Sequence, residues 1–180
     1  DAVGTNQELE RPHVVYKDGL YYLFISSHLH TFAPDLEGFD ALYGFVSETF
    51  RGEYVPLNGS GLVATNPENA PFQAYSWMAF AHDEEVLVQS FFNYFDFAGP
   101  VLDDIAHLSE SEQMRRFGGT LAPTLRLDVD GTRTRIVGKL GHWEIPMAGE
   151  SLPPTEEELI RRARDADETD ASERYHGGSY

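Results

Sequence analysis

His13-Val14-Val15-Tyr16-Lys17-Asp18-Gly19-Leu20-Tyr21-Tyr22-Leu23-Phe24-Ile25-Ser26 decides the fold. Two runs rich in β-branched and aromatic residues flank Asp18-Gly19, a pair that accepts the positive φ of a two-residue hairpin turn. The same grammar recurs downstream. Trp77–Ala81 and Val86–Phe92 predict a second hairpin around His82-Asp83-Glu84-Glu85, and Thr124–Val129 and Thr134–Val137 predict a third, turned at Asp130-Gly131. Leu42–Val46 reads as a further strand. With no amphipathic helix between these runs, the chain is all-β, as a sandwich or as consecutive propeller blades.

Two segments depart from that pattern. Gly99–Gly119 reads as a loop with a short helix around Asp104–His107. Pro154–Ala166 predicts a helix: Thr155 and Glu158 have capping-box spacing, and Arg161, Arg162 and Arg164 gather toward the end. Asp165–Tyr180 reads as a polar, mobile tail. The expected division is therefore 1–150 for the β unit and 151–180 for the helix and acidic tail.

Composition narrows the function. Thirty Asp and Glu stand against 13 Lys and Arg, for a net charge of −17. That balance opposes nucleic acid and anionic membranes as partners, because both are bound through cations. Acidity of this degree usually marks disorder, but 9 Tyr, 12 Phe and 2 Trp supply a core. A folded, acidic chain whose lysines are Lys17 and Lys139 suggests a surface adapted to high salt. There are no cysteines, so disulfides and thiolate metal sites are excluded. No signal peptide or membrane span is visible after Asp1, and the chain reads as processed or as the later part of a longer polypeptide.

Just before the first hairpin stands Glu8-Leu9-Glu10-Arg11-Pro12. In an extended segment, Glu8 and Glu10 share a face roughly 6–7 Å apart. By spacing alone they form either an exposed acidic strand edge or a coupled pair in which one carboxyl stays protonated for general-acid work.

Taken with its neighbours, this stretch resembles the levansucrase and inulosucrase family, glycoside hydrolase family 68. The resemblance runs through Glu8–Val15, Tyr21–His28, Asp40–Val46, Tyr54–Val63, Pro71–Trp77 and Leu121–Leu125, covering about Thr5 to Gly138. It implies the C-terminal blades of a five-bladed β-propeller with the active site in the axial funnel. The implied substrate is sucrose, whose fructosyl unit passes through a covalent enzyme intermediate to water, sucrose or a growing fructan. By position, Glu10 is implied as acid/base, Glu8 as a sugar-binding carboxylate, His28 as a contact to the glucosyl unit, and Tyr75 as an acceptor-side residue. Tyr75 beside Trp77 reads equally as core or as sugar platform. Arg11 either contacts a carboxylate in the funnel or braces the strand. Asp40 reads as a turn cap, and Leu57–Leu62 as a structural turn at a blade edge.

Two departures from the family pattern matter. Gln7 stands where calcium-binding members carry Asp, so no family calcium site, and no other metal or cofactor, is expected. The Trp-Asp motif of the nucleophile and the Arg-Asp-Pro motif of the stabiliser are absent, and Asp35, Asp40, Asp96 and Asp103 lie in other contexts. The segment is therefore expected to supply the acid/base half of the site, to be inactive alone, and to need the N-terminal half of the propeller from the same or a second chain. Family resemblance also implies secretion. The alternatives are a sucrose or fructan hydrolase of the same fold, and a non-catalytic carbohydrate-binding β-module.

Overall fold

A computed structural model describes residues 8–97, 99, 102–140, 151, 152, 154, 155, 157–162 and 164. The proposed tail beyond Asp165 lies outside these residues, as do 141–150 of the expected β unit.

Two antiparallel sheets of five strands make up the body. The first contains β1 (Glu10–Lys17), β2 (Leu20–Ser27), β3 (Ala41–Ser47), β4 (Val55–Pro56) and β5 (Leu62–Thr65). The second contains β6 (Ala74–His82), β7 (Glu85–Tyr94), β8 (Phe117–Leu121), β9 (Leu125–Asp130) and β10 (Arg133–Lys139). Each begins with a hairpin and contains one strand whose length is shared between two partners. In the first sheet β3 pairs with β4 at Phe45 and Val46 and with β5 at Ala41–Tyr43. In the second, β7 pairs with β9 at Val86–Val88 and with β8 from Phe91 to Tyr94.

The three hairpins follow from turn chemistry. Asp18 and Gly19 take φ of 51° and 84°, the two left-handed positions of a type I′ turn, so Lys17 pairs with Leu20. The expected turn at His82–Glu85 tightens to Asp83 and Glu84, because His82 and Glu85 are themselves paired. The third turn shifts by one residue to Gly131 and Thr132, since Asp130 pairs with Arg133.

The sheets face each other through one core. Val15, Tyr22, Phe24, Leu42, Val46, Leu57, Trp77, Ala79, Val86, Val88, Leu127 and Val129 are buried in it. Each large side chain taken from water contributes about 1.5–3 kcal/mol. Polar bonds cross between the sheets too. Ser26 Oγ donates to the Trp77 carbonyl at 3.0 Å. Asn58, at φ 55°, gives its Nδ2 to Thr134 Oγ1 (2.7 Å) and takes the Thr134 N–H on its Oδ1 (2.9 Å). The Leu57–Leu62 segment is thus a turn, but one that locks the two sheets together.

The loop expected over Gly99–Gly119 is largely ordered into elements. A 3-10 turn at Leu102–His107 is pinned by Ile105 against Phe72 and Phe97. Helix α1 (Glu110–Arg116) follows, capped by Ser109 Oγ, which accepts from Glu112 N–H. None of its residues is buried, so no apolar periodicity announced it. Strand β8 was hidden by its glycines. A Cβ on Gly118 would stand 2.6 Å from the Phe92 carbonyl oxygen, so only glycine lets the two backbones come this close.

The capping box at the C-terminal end is present: Thr155 N–H donates to Glu158 Oε2 (2.7 Å) and Glu158 N–H to Thr155 Oγ1 (3.1 Å). Residues 157–162 and 164 are helical. Glu158 also receives Arg126 of β9, whose guanidinium is forked onto Glu85 of β7. Among the described residues, no helix is long and apolar enough to cross a membrane.

Candidate active site

The site forms where β1 and β6, which pack against each other, begin. Each of these inner strands opens with a bulge. In β1 the register shifts between Glu10 and His13, with Arg11 at φ 47°. In β6 it shifts between Tyr75 and Met78, with Ser76 at φ 57°. Left-handed φ is uncommon outside glycine, and a bulge re-aims the side chain beside it. Here the two bulges turn Glu10 and Tyr75 toward each other.

The Tyr75 hydroxyl donates to Glu10 Oε2 at 2.5 Å. Its ring is buried, edge-on to Trp77 at 5.8 Å and stacked on the His28 imidazole at 3.6 Å and 16°. His28 sits where β2 ends, and its Nδ1 lies 3.4 Å from Asp40 Oδ2. Asp40 is only 3% exposed, and its other oxygen accepts the Leu29 N–H at 2.6 Å. Glu8 is brought alongside by its own backbone, whose carbonyl accepts Ser27 Oγ at 2.8 Å. Ligand atoms of Glu8, Glu10 and His28 all fall within 4.8 Å of one another. Two carboxylates and an imidazole at this spacing could hold a cation. They equally form a set of convergent acceptors and donors suited to a polyol. Gln7, on which the expectation about calcium turned, lies outside the described residues.

Electrostatics at Glu10 follow from these contacts. The Tyr75 hydrogen bond pulls its carboxyl below the usual 4.5; burial opposes this, and Glu8, His28 and Arg11 add to the lowering. A carboxyl held protonated by its like-charged neighbour, as the Glu8–Glu10 spacing suggested, is therefore not what this geometry produces at Glu10. The Tyr75 O–H and the contact with Glu8 both favour the ionised form and outweigh burial. Burial and the adjacent Glu10 carboxylate push the Tyr75 phenol well up, so it remains a donor.

Four of the five residues singled out in the sequence come together: Glu8, Glu10, His28 and Tyr75. Arg11 is exposed, its carbonyl accepts from His13 Nδ1 at 2.6 Å, and it reaches Glu10 through charge. Asp40 is the member that sequence reading took for a turn cap. Nothing local distinguishes a capping Asp from one buried behind a histidine 12 residues earlier.

The family profile described as Levansucrase/Invertase, glycoside hydrolase family 68, matches residues 1–146. The chain belongs to glycoside hydrolase family 68. A levansucrase of Zymomonas mobilis is 44% identical over 146 residues, 81% of this chain and 31% of that enzyme. A levansucrase of Erwinia amylovora is 42% identical over 145 residues, again 81% of this chain and 31% of the relative. The chain thus spans about a third of the length of these family 68 enzymes.

Among solved structures, the inulosucrase from Halalkalicoccus jeotgali bound to kestose is 65% identical with a TM-score of 0.79, covering 84% of this chain and 37% of that one. Full-length β-fructofuranosidase from Microbacterium saccharophilum K-1 is 33% identical with a TM-score of 0.59, covering 79% and 28%. The all-β fold is accordingly that of family 68, and the two sheets are blades of its five-bladed propeller.

Proposed function

We propose that this chain forms the acid/base side of a sucrose-cleaving fructosyltransferase of levansucrase or inulosucrase type. The observation that carries the reading is the convergence of Glu10, Tyr75, Glu8 and His28 at the mouth of two adjacent propeller blades. Glu10 is the acid/base. Its carboxyl proton passes to the glucosyl oxygen as the fructosyl C2–O bond breaks and a carboxylate nucleophile bonds to C2. The resulting Glu10 carboxylate then takes the proton of the acceptor hydroxyl as that oxygen displaces the nucleophile. Sugar filling the funnel removes water, which strengthens the burial effect and returns the Glu10 carboxyl toward the protonated form that the first step needs.

Glu8 and His28 bind sugar hydroxyls, and Arg11 adds positive charge at the rim. The nucleophile and stabiliser come from the N-terminal half of the propeller, on the same or a second chain, so the 180 residues alone are inactive. The relatives' names support sucrose and fructan acceptors as partners. The acidic surface, with an inulosucrase relative from a halophile, supports a salt-adapted enzyme, and the family supports secretion.

In the full-length protein, Glu10→Gln should lower glucose release from sucrose by about 10²–10⁴-fold. Sucrose binding, followed by calorimetry, should be retained. Turnover within tenfold of the unaltered protein would remove Glu10 from the acid/base role. The likeness to β-fructofuranosidase favours one second reading, a hydrolase of the same fold. Equal yields of glucose and fructose at high sucrose would support it, whereas a deficit of free fructose marks transfer.

A further inference from the structure

Asp40 stands buried behind His28, one residue removed from the Glu8, Glu10 and Tyr75 cluster. Its carboxylate is buried, and each oxygen has one neighbour: the Leu29 N–H at 2.6 Å, and His28 Nδ1 at 3.4 Å. A carboxylate can only accept, so an imidazole nitrogen facing it carries the proton. In neutral His28 that places the proton on Nδ1 and leaves Nε2 as the acceptor. The Leu29 bond matters as much, because it anchors the carboxylate to the backbone at the end of β2. The imidazole it orients is not isolated: it lies flat on Tyr75, whose hydroxyl holds Glu10. Asp40, His28, Tyr75 and Glu10 thus form a continuous series, from a buried anchor on the first blade, across a ring stack, to the reacting carboxyl.

We propose that Asp40 is the positioning residue of this site, fixing the tautomer and the plane of His28 so that Nε2 accepts from a substrate hydroxyl and the ring seats Tyr75 against Glu10. The inference rests on the fructosyltransferase reading above. It distinguishes Asp40 from a turn cap, whose loss would disturb the backbone at Leu29 but not the protonation of His28.

The test is Asp40→Asn in the full-length protein, with Asp40→Ala beside it. Asparagine keeps the shape and an oxygen for Leu29 N–H, but presents an N–H₂ group to His28 Nδ1. It should therefore move the imidazole proton to Nε2. Two readouts are taken: the ¹⁵N shifts of the His28 ring, and KM and kcat for sucrose. The expected result is a tautomer change with KM raised about tenfold, the cost of one mispaired polar contact, and a smaller change in kcat. An unchanged tautomer in Asp40→Asn overturns the proposal, as does unchanged KM with a changed tautomer. If the unaltered protein releases no glucose from sucrose, the fructosyltransferase reading has failed, and the ring shifts still decide the tautomer. If Asp40→Ala does not fold, Asp40→Asn carries the decision alone.

Discussion

Tyr75 makes three contacts that a sequence reader would assign to three different jobs: a hydroxyl on Glu10, a face on His28 and an edge on Trp77. The choice between core aromatic and sugar platform dissolves, because the ring is core and its oxygen belongs to the site. The hydroxyl is the largest single influence on Glu10, so Tyr75→Phe should return that carboxyl upward toward 4.5. Titration of the Glu10 side-chain carbon by NMR measures this directly. The sign for stability follows from the depressed folded value. The bond's contribution is present above the unfolded pKa near 4.5 and is lost as pH falls through the lower folded value. The difference in stability between the unaltered protein and Tyr75→Phe should therefore shrink on acidification below about 4.5 and be constant above it. A difference that grew in acid would contradict the assignment.

At the scale of elements, the hairpins were legible because each rests on a local device. Asp18-Gly19 needs nothing beyond its own φ angles, and alternating Leu127 and Val129 against Asp128 and Asp130 shows which face of β9 is buried. The capping box was legible for the same reason. Thr155→Val keeps the buried volume and removes the cap, which should cost about 1 kcal/mol. Amide exchange at Glu158, whose N–H is bonded to Thr155 Oγ1, should quicken about fivefold. Arg126 and the Thr155 N–H hold Glu158 well below its ordinary value, at about 2, with the backbone bond the larger cause. The box's contribution should hence be complete above about pH 4.5 and be lost progressively as pH falls toward about 2. Protection at Leu159, whose N–H meets the Thr155 carbonyl, reports on it. Helix α1 and strand β8 escaped notice for contrasting reasons. One buries none of its residues, so the Ser109–Glu112 cap is its local signal; the other depends on a distant backbone, that of Phe92.

The whole molecule carries a net charge of −17 and leaves a good deal of apolar surface open. Val14, Tyr16 and Phe50 are exposed, and the Tyr21 ring lies against both Tyr16 and Phe50 there. A further blade would cover a patch of this kind, and blades in a propeller stabilise one another through such neighbours. The 180 residues alone should therefore show a shallow, low-cooperativity urea transition. Molar KCl should raise its midpoint by screening like charges. A steep transition at low salt would show that these two blades suffice by themselves.

What the sequence determined by itself is everything local: hairpin turns, strand faces, the C-terminal capping box, and an ordered set of motifs that places Glu8, Glu10, His28 and Tyr75 in one family. These rest on neighbours within a few residues, so the chain states them directly. What only the tertiary structure decided is how those residues act on one another. Tyr75 reaches Glu10 across 65 residues, Asp40 lies buried behind His28, and Asn58 bolts one sheet to the other across 76. The downward shift at Glu10 arises from such a contact, because the strength of a hydrogen bond or charge depends on distance and burial in space. Two bulges and a shared core set that distance, and no spacing along the chain records it.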